Sequence, residues 1–226
     1  MSSKHFWNFA HNDEGEAVEL FFEGPIAEDS WLDDEITPDE FRRELNKCGQ
    51  KKIKMRVNSP GGDCVAASMI YSAIRDYPGE VVAQIDGMAA SAASVVVMAA
   101  DKVSMMPTAM MMIHDPLTCA FGNADEMKRA MKTLDEVKES IINAYELKTG
   151  LSRDKLSKLM SDETWMSAFK ARELGFCDEV IGGEATPYNC YSFTRGKAKT
   201  DLLAESQENT VSTEALKRRL NLLKQF

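Results

Sequence analysis

Basic charge, histidine and long apolar runs are all scarce in this chain, and each shortage removes a class of function. Lys and Arg total 27 against 36 Asp and Glu, giving a formal net charge of −9 and a pI near 5.0. Neutralising phosphates needs a basic stripe, and none runs through the sequence, which argues against a nucleic-acid partner. The longest apolar run, 89–100 with two serines inside it, is too short to cross a bilayer. The opening MSSKHFWNFAHNDEGE has no continuous apolar core of the kind an export signal carries, so a cytoplasmic location without membrane contact is expected. Five cysteines, at 48, 64, 119, 177 and 190, are odd in number and form no CxxC pair. They read as reduced thiols and not as disulfides or a metal site. No P-loop signature occurs, so nothing points to ATP hydrolysis by the chain itself.

What is present suffices for one substantial core, with 44% hydrophobic residues in 226. AVELFFE at 17–23 reads as a strand stopped by Gly24-Pro25. Thr37-Pro38-Asp39-Glu40 matches a capping box with Pro at the first helical position and predicts a helix over about 38–48. Residues 52–57 alternate polar and apolar as a strand with one covered face does. Asn58-Ser59-Pro60-Gly61-Gly62-Asp63 then makes a tight turn into a helix over 64–77, striped by Val65, Met69, Ile70 and Ile74. Pro78-Gly79 ends it, and a strand over 80–86 leads to Gly87. Two short strands, 102–106 and 109–113, flank Pro107; their five methionines suit a pliable core or an adaptable wall for an extended substrate. The longest helix runs from Asn123 to Thr149, with Met127, Met131, Leu134, Ile141 and Tyr145 in one stripe. Ser152 can cap a helix to about Met160, SDETWMSAFKARELGF holds another short helix, and 178–181 is the last strand. Beyond Gly182-Gly183 the chain turns polar, with a flexible tail expected over 194–213 and a basic amphipathic ending, ALKRRLNLLKQF. Repeated strand–turn–helix units predict an α/β fold. Such sheets gather ligands at the carboxyl ends of their strands, where the Gly61-Gly62 turn and the Ser91 turn both fall.

Ser91 lies in Gly87-Met88-Ala89-Ala90-Ser91, among side chains too small to screen a hydroxyl, at the start of an Ala-rich run. Backbone N–H groups left unpaired at a helix start can hold an oxyanion. A serine needs a neighbour to take its proton, and His114 ends an apolar strand-like run downstream. His5 and His11 sit in a polar N-terminal segment expected to be mobile. Taken alone, Ser91 fits equally well as a small packing residue, and His114 as a satisfied core histidine. Ser94, one turn on, reads as buried packing. Asp115 is adjacent to His114, but successive strand residues face opposite ways, which argues against it as a partner.

Four motifs taken together, Asn58-Ser59-Pro60-Gly61-Gly62, Gly87-Met88-Ala89-Ala90-Ser91-Ala92, Met112-Ile113-His114-Asp115-Pro116 and Ser167-Ala168 followed by Glu173-Leu174-Gly175-Phe176 and Asp178, resemble the Clp protease proteolytic subunit, ClpP. The resemblance covers roughly 17–182 and is nearest in style to the ClpP-like head maturation proteases of phage and prophage genomes. It implies a ClpP/crotonase-like α/β fold of repeated ββα units with a long protruding handle helix. It also implies a protease domain over 17–183 between an N-terminal segment, 1–16, and a flexible C-terminal tail, 184–226. By position Ser91 resembles the nucleophile and His114 the general base, with the N–H groups of Gly62 and Ala92 as the oxyanion hole. Aligning on Ser167-Ala168 puts Glu163 where the family has an Asp, with Asp162 beside it as the alternative acid. The implied activity is that of a serine endopeptidase acting on unfolded polypeptide or on a phage capsid or scaffold protein, in homo-oligomeric rings. The serine-protease chemistry implied by the resemblance needs no metal or organic cofactor. The acidic N-terminal region lacks the apolar look of loops that meet an ATPase partner, which leaves ATPase docking open. Two other classes stay open: a crotonase-like acyl-CoA enzyme, which needs no Ser–His pair, and a non-catalytic assembly subunit that keeps only the fold.

Overall fold

Short β-branched and Met-rich runs become strands wherever a Gly or Pro turn bounds them, and the alternation within each run decides which face is covered. The computed structural model describes residues 6–11, 17–26 and 38–182. Two compact units divide the chain, Met1–Cys190 and Tyr191–Phe226, and every described residue lies in the first. Thr37, expected to cap the first helix, His5, Cys190 and the expected C-terminal tail lie outside the described residues.

In chain order the elements are β1 Trp7–His11, β2 Ala17–Glu23, α1 Pro38–Lys47, β3 Lys52–Ser59, α2 Cys64–Asp76, β4 Val81–Ala90 and α3 Ala92–Val97. There follow β5 Lys102–Met105, β6 Met110–Ile113, α4 Ala124–Thr149, α5 Arg153–Ser161, β7 Thr164–Ser167, α6 Ala168–Glu173 and β8 Glu179–Val180. The sheet runs β1-β2-β3-β4-β5-β8, with β6 paired to β4 and β7 to β6. All pairings are parallel except β1–β2 and β6–β7. This is the mixed α/β class that the sequence predicts, and it is consistent with the ClpP fold.

Alternation puts Val18, Leu20 and Phe22 of β2 and Ile53, Met55 and Val57 of β3 into one core with Phe41 and Leu45 of α1 and Ile70 and Ile74 of α2. Each such side chain, taken out of water, stabilises the fold by roughly 1.5–3 kcal/mol before entropy is counted. The decisive strand is β4. Its first half pairs with β5, Val82↔Lys102 to Ile85↔Met105, and its second half with β6, Met88↔Met110 to Ala90↔Met112. Between the halves β4 bulges against β3: while β3 advances from Val57 to Ser59, β4 advances from Ile85 to Ala89. That change of partner carries the end of β4 to the end of β6.

Four local readings need correction. Trp7–His11 is a strand paired antiparallel with β2, held by Phe6 and Trp7 packing edge-on against each other and against Phe22 and Phe41. Thr164–Ser167 is a strand, not the start of a helix, because the free edge of β6 is there to be paired. In α2 the apolar stripe is split: Ile70 and Ile74 are buried, whereas Val65 and Met69 are 56% and 40% exposed. The long helix is present, capped by Asn123 and Glu126 in a capping box, but its stripe is covered only near the C-terminal end. Ile142, Ala144 and Tyr145 are buried there, while Met131 is 65% exposed. No helix among the described residues is long and apolar enough to cross a membrane.

Candidate active site

Parallel pairing places neighbouring strand ends side by side, so Ala90↔Met112 is the last rung before Ser91 on one strand and Ile113-His114 on the other. The Ser91 N–H donates to the Met112 carbonyl at 2.9 Å and extends the contact by one step. The result is a 2.7 Å hydrogen bond between Ser91 Oγ and His114 Nε2, across 23 residues of sequence. Ser91 itself is strained. Its φ of 53° and ψ of −126° fall where an L side chain rarely goes, and it makes the corner between β4 and α3. A non-glycine residue held there costs about 1–3 kcal/mol, which the packing of β4 and α3 must offset. All six residues of α3 are buried, and this anchors the far side of the corner.

The turn after β3 closes over this corner. A β-carbon on Gly61 would stand 2.5 Å from the Ala90 carbonyl oxygen and 2.9 Å from the Ala92 nitrogen, so the two turns touch backbone to backbone. Gly62 is pressed as tightly on its other side, where a β-carbon would meet the Ile26 carbonyl oxygen at 1.9 Å. Ile26 clamps the turn, donating its N–H to Gly61 O at 2.8 Å and accepting from Asp63 N at 3.0 Å. Ser59, fully buried, ties the same turn to the Gly24 carbonyl at 2.6 Å and accepts from the Gly61 N–H. Among the described residues neither the Gly62 N–H nor the Ala92 N–H has a hydrogen-bond partner. Asp63 caps α2, accepting from Ala66 N at 2.7 Å.

The third expected side chain arrives in the turn just before the strand missed by the sequence reading. The antiparallel ladder ends at the rung Ile113↔Thr164, and the residues next in sequence beyond it are His114 on one side and Glu163 on the other. Glu163 is half-buried and also adopts a left-handed backbone, φ 47°, in the turn that joins α5 to β7. Burial lowers the pKa of His114 from its ordinary value, and the Glu163 carboxylate, then that of Asp115, raise it part of the way back. Asp162 ends α5 as an exposed C-cap residue and is not among the groups that act on His114. Asp115 is engaged elsewhere: Lys138 of α4 lies 2.8 Å from it, and Ser161 Oγ donates to it at 2.9 Å.

Ser94 is buried, as expected, but its hydroxyl is not idle. It donates to the Ser91 carbonyl at 2.5 Å and shares a hydrogen bond with Tyr145 Oη at 2.8 Å. Beside Gly62 opens a groove of about 370 Å3, lined by Cys64, Leu117, Cys119, Leu134 and Val137 among others. Cys48, Cys64, Cys119 and Cys177 are free thiols, and no group of three His, Cys, Asp or Glu side chains suited to a metal occurs among the described residues. The sequence reading named Ser59 only as part of a turn and Tyr145 only as part of a stripe, and did not name Ile26, because each acts through a fold contact that carries no local pattern.

Residues 44–184 match the family described as Clp protease. The ATP-dependent Clp protease proteolytic subunits of two strains of Bacteroides fragilis are each 33% identical over 133 residues, 58% of this chain. Those 133 residues are 64% of the one relative and 60% of the other, so the match spans less than two thirds of either.

Proposed function

The chain belongs to the Clp protease family, and from that premise we propose that it is a serine endopeptidase that works through an acyl-enzyme on Ser91. The carrying observation is the 2.7 Å contact of Ser91 Oγ with His114 Nε2, made by a serine on a strained strand-to-helix corner. With the ring proton on Nδ1, Nε2 accepts the Ser91 hydrogen as the oxygen attacks a peptide carbonyl, and the imidazolium then protonates the leaving amine. Glu163 stabilises that imidazolium; its electrostatic action on the ring favours it over Asp162. The tetrahedral oxygen is bound by the Gly62 and Ala92 N–H groups, whose lack of protein partners leaves both hydrogens available. No cofactor takes part in this sequence of steps.

The substrate is an extended, unfolded stretch of polypeptide that lies along the groove beside Gly62, with an apolar side chain against Leu117, Leu134 and Val137. In the phage or prophage branch of the family that stretch belongs to a capsid or scaffold protein. The catalytic domain is 17–183, the working location cytoplasmic, and the assembly a homo-oligomeric ring. The N-terminal half of α4 serves as a handle, which the exposure of Met131 favours. An ATPase partner stays outside this reading.

Incubation with a fluorescent fluorophosphonate, followed by peptide mapping, tests the proposal. Label on Ser91, lost in His114→Ala, supports it; a folded chain left unlabelled, with no hydrolysis of a peptide ester, refutes it. The crotonase-like alternative predicts retention on immobilised coenzyme A, and the assembly-only alternative predicts that Ser91→Ala changes no measurable property.

A further inference from the structure

A peptide group has two ends, and the group between Ser91 and Ala92 is held by one of them. Its N–H, on Ala92, is one of the two unpaired donors beside Ser91. Its carbonyl oxygen, on Ser91, points the opposite way across the planar trans unit and accepts twice from Ser94, from the N–H at 2.9 Å and from Oγ at 2.5 Å. Ser94 has one hydroxyl hydrogen, and this bond uses it. In the 2.8 Å contact between the two hydroxyls Tyr145 is therefore the donor. Tyr145 is fully buried, its ring fixed edge-on against Phe176 at 5.4 Å, and Thr149 Oγ1 donates to its carbonyl. Burial raises the Tyr145 pKa, so the donor stays protonated throughout the working range.

We propose that Tyr145 and Ser94 are positioning residues for the oxyanion-binding N–H of Ala92, acting through the Tyr145 Oη–H to Ser94 Oγ–H to Ser91 C=O relay. The relay does two things. It fixes the tilt of a peptide plane that the strained φ and ψ of Ser91 leave without the support of regular structure. It also draws electron density toward the carbonyl, which makes the N–H at the other end a better donor, since hydrogen bonds in series strengthen one another. The effect is greatest when negative charge develops opposite Ala92, so the relay acts on the transition state more than on bound substrate. Because Tyr145 belongs to α4, the long helix is joined to the reacting corner by a chain of two hydroxyls.

The inference rests on the serine-hydrolase reading above, and its test separates the two. Wild type, Tyr145→Phe, Ser94→Ala and Ser94→Thr are compared for hydrolysis of one peptide ester. They are also compared for binding of a peptide aldehyde, which forms a hemiacetal on Ser91, and of the corresponding alcohol, which does not. Tyr145→Phe and Ser94→Ala are expected to lower kcat and aldehyde affinity by the same factor, roughly five- to tenfold for one lost hydrogen bond. KM and alcohol affinity stay at wild-type values, and Ser94→Thr, which keeps the hydroxyl, restores most of the loss. Wild-type aldehyde affinity in both deletion variants overturns the inference, and so does an equal loss of aldehyde and alcohol, which signals general loosening. If Tyr145→Phe fails to fold, the Ser94→Ala and Ser94→Thr pair decides alone. A wild-type chain that neither hydrolyses the ester nor binds the aldehyde refutes the hydrolase reading itself, and the inference falls with it.

Discussion

His114 feels the charge of Glu163, the residue just before the Ile113↔Thr164 rung that ends the β6–β7 ladder. Glu163→Gln removes a negative charge that raises the His114 pKa, so the acid limb of the kcat/KM profile is expected to move to lower pH. The plateau falls by a factor on the order of a hundred or more, because the imidazolium loses its stabilising charge. Asp162→Asn is expected to leave both unchanged. A large rate loss in Asp162→Asn with a mild one in Glu163→Gln reverses the assignment of the acid.

Lys138 offsets the charge of Asp115 beside His114. Lys138→Met leaves Asp115 uncompensated, raises the His114 pKa and moves the acid limb to higher pH; Asp115→Asn moves it to lower pH. Both shifts shrink at high salt, because the pair is partly exposed. A pH profile that Lys138→Met leaves in place removes the electrostatic link.

The lowered pKa of His114 also enters the stability of the fold. A histidine whose folded pKa lies below its unfolded value binds its proton more readily when unfolded. Its penalty is absent at neutral pH and grows as pH falls through the unfolded value of about 6.5 toward the folded one. Denaturant midpoints measured across that interval are expected to fall less steeply in His114→Gln than in wild type, and parallel curves contradict this.

Strain at Ser91 predicts an exchange of stability against activity. Ser91→Gly abolishes acylation and relieves the φ of 53°, raising stability by about 1–2 kcal/mol and Tm by roughly 4 °C. Calorimetry that finds no rise shows a relaxed corner.

Gly61 and Gly62 are each closed in by backbone, with different consequences. Gly61→Ala pushes on Ala90 and Ala92 and strikes the reacting corner first. Its kcat/KM is expected to drop by at least about tenfold for a displacement of under an ångström. Gly62→Ala drives a methyl group into Ile26 and breaks the clamp between the two turns, which costs about 2–4 kcal/mol. Chemical denaturation and kinetics on the two variants separate these effects.

Ser91 and His114 were singled out in the sequence by the motifs that resemble ClpP, because the small residues around one and the apolar run before the other fit packing roles as well. The strand that follows Glu163 was not legible. Four residues, Thr164 to Ser167, precede a helix without a break, and only the free edge of β6 makes them extended. Helical spacing also failed to say how much of a stripe is covered. Val65 and Met69 share the period of Ile70 and Ile74 yet lie on the open side of α2. In α4 the period persists along a helix whose buried residues are confined to its last third. Periodicity identifies a face; contact with another element, which spacing cannot encode, decides whether that face is dry.

Hydroxyl, imidazole and carboxylate all stem from one polypeptide, and the first two are already in contact within it. On the reading proposed above, each copy in an assembly carries its own set of reacting groups. Mixed with an inert Ser91→Ala form, each intact copy should keep its own turnover, and total output should decline in simple proportion to the dilution.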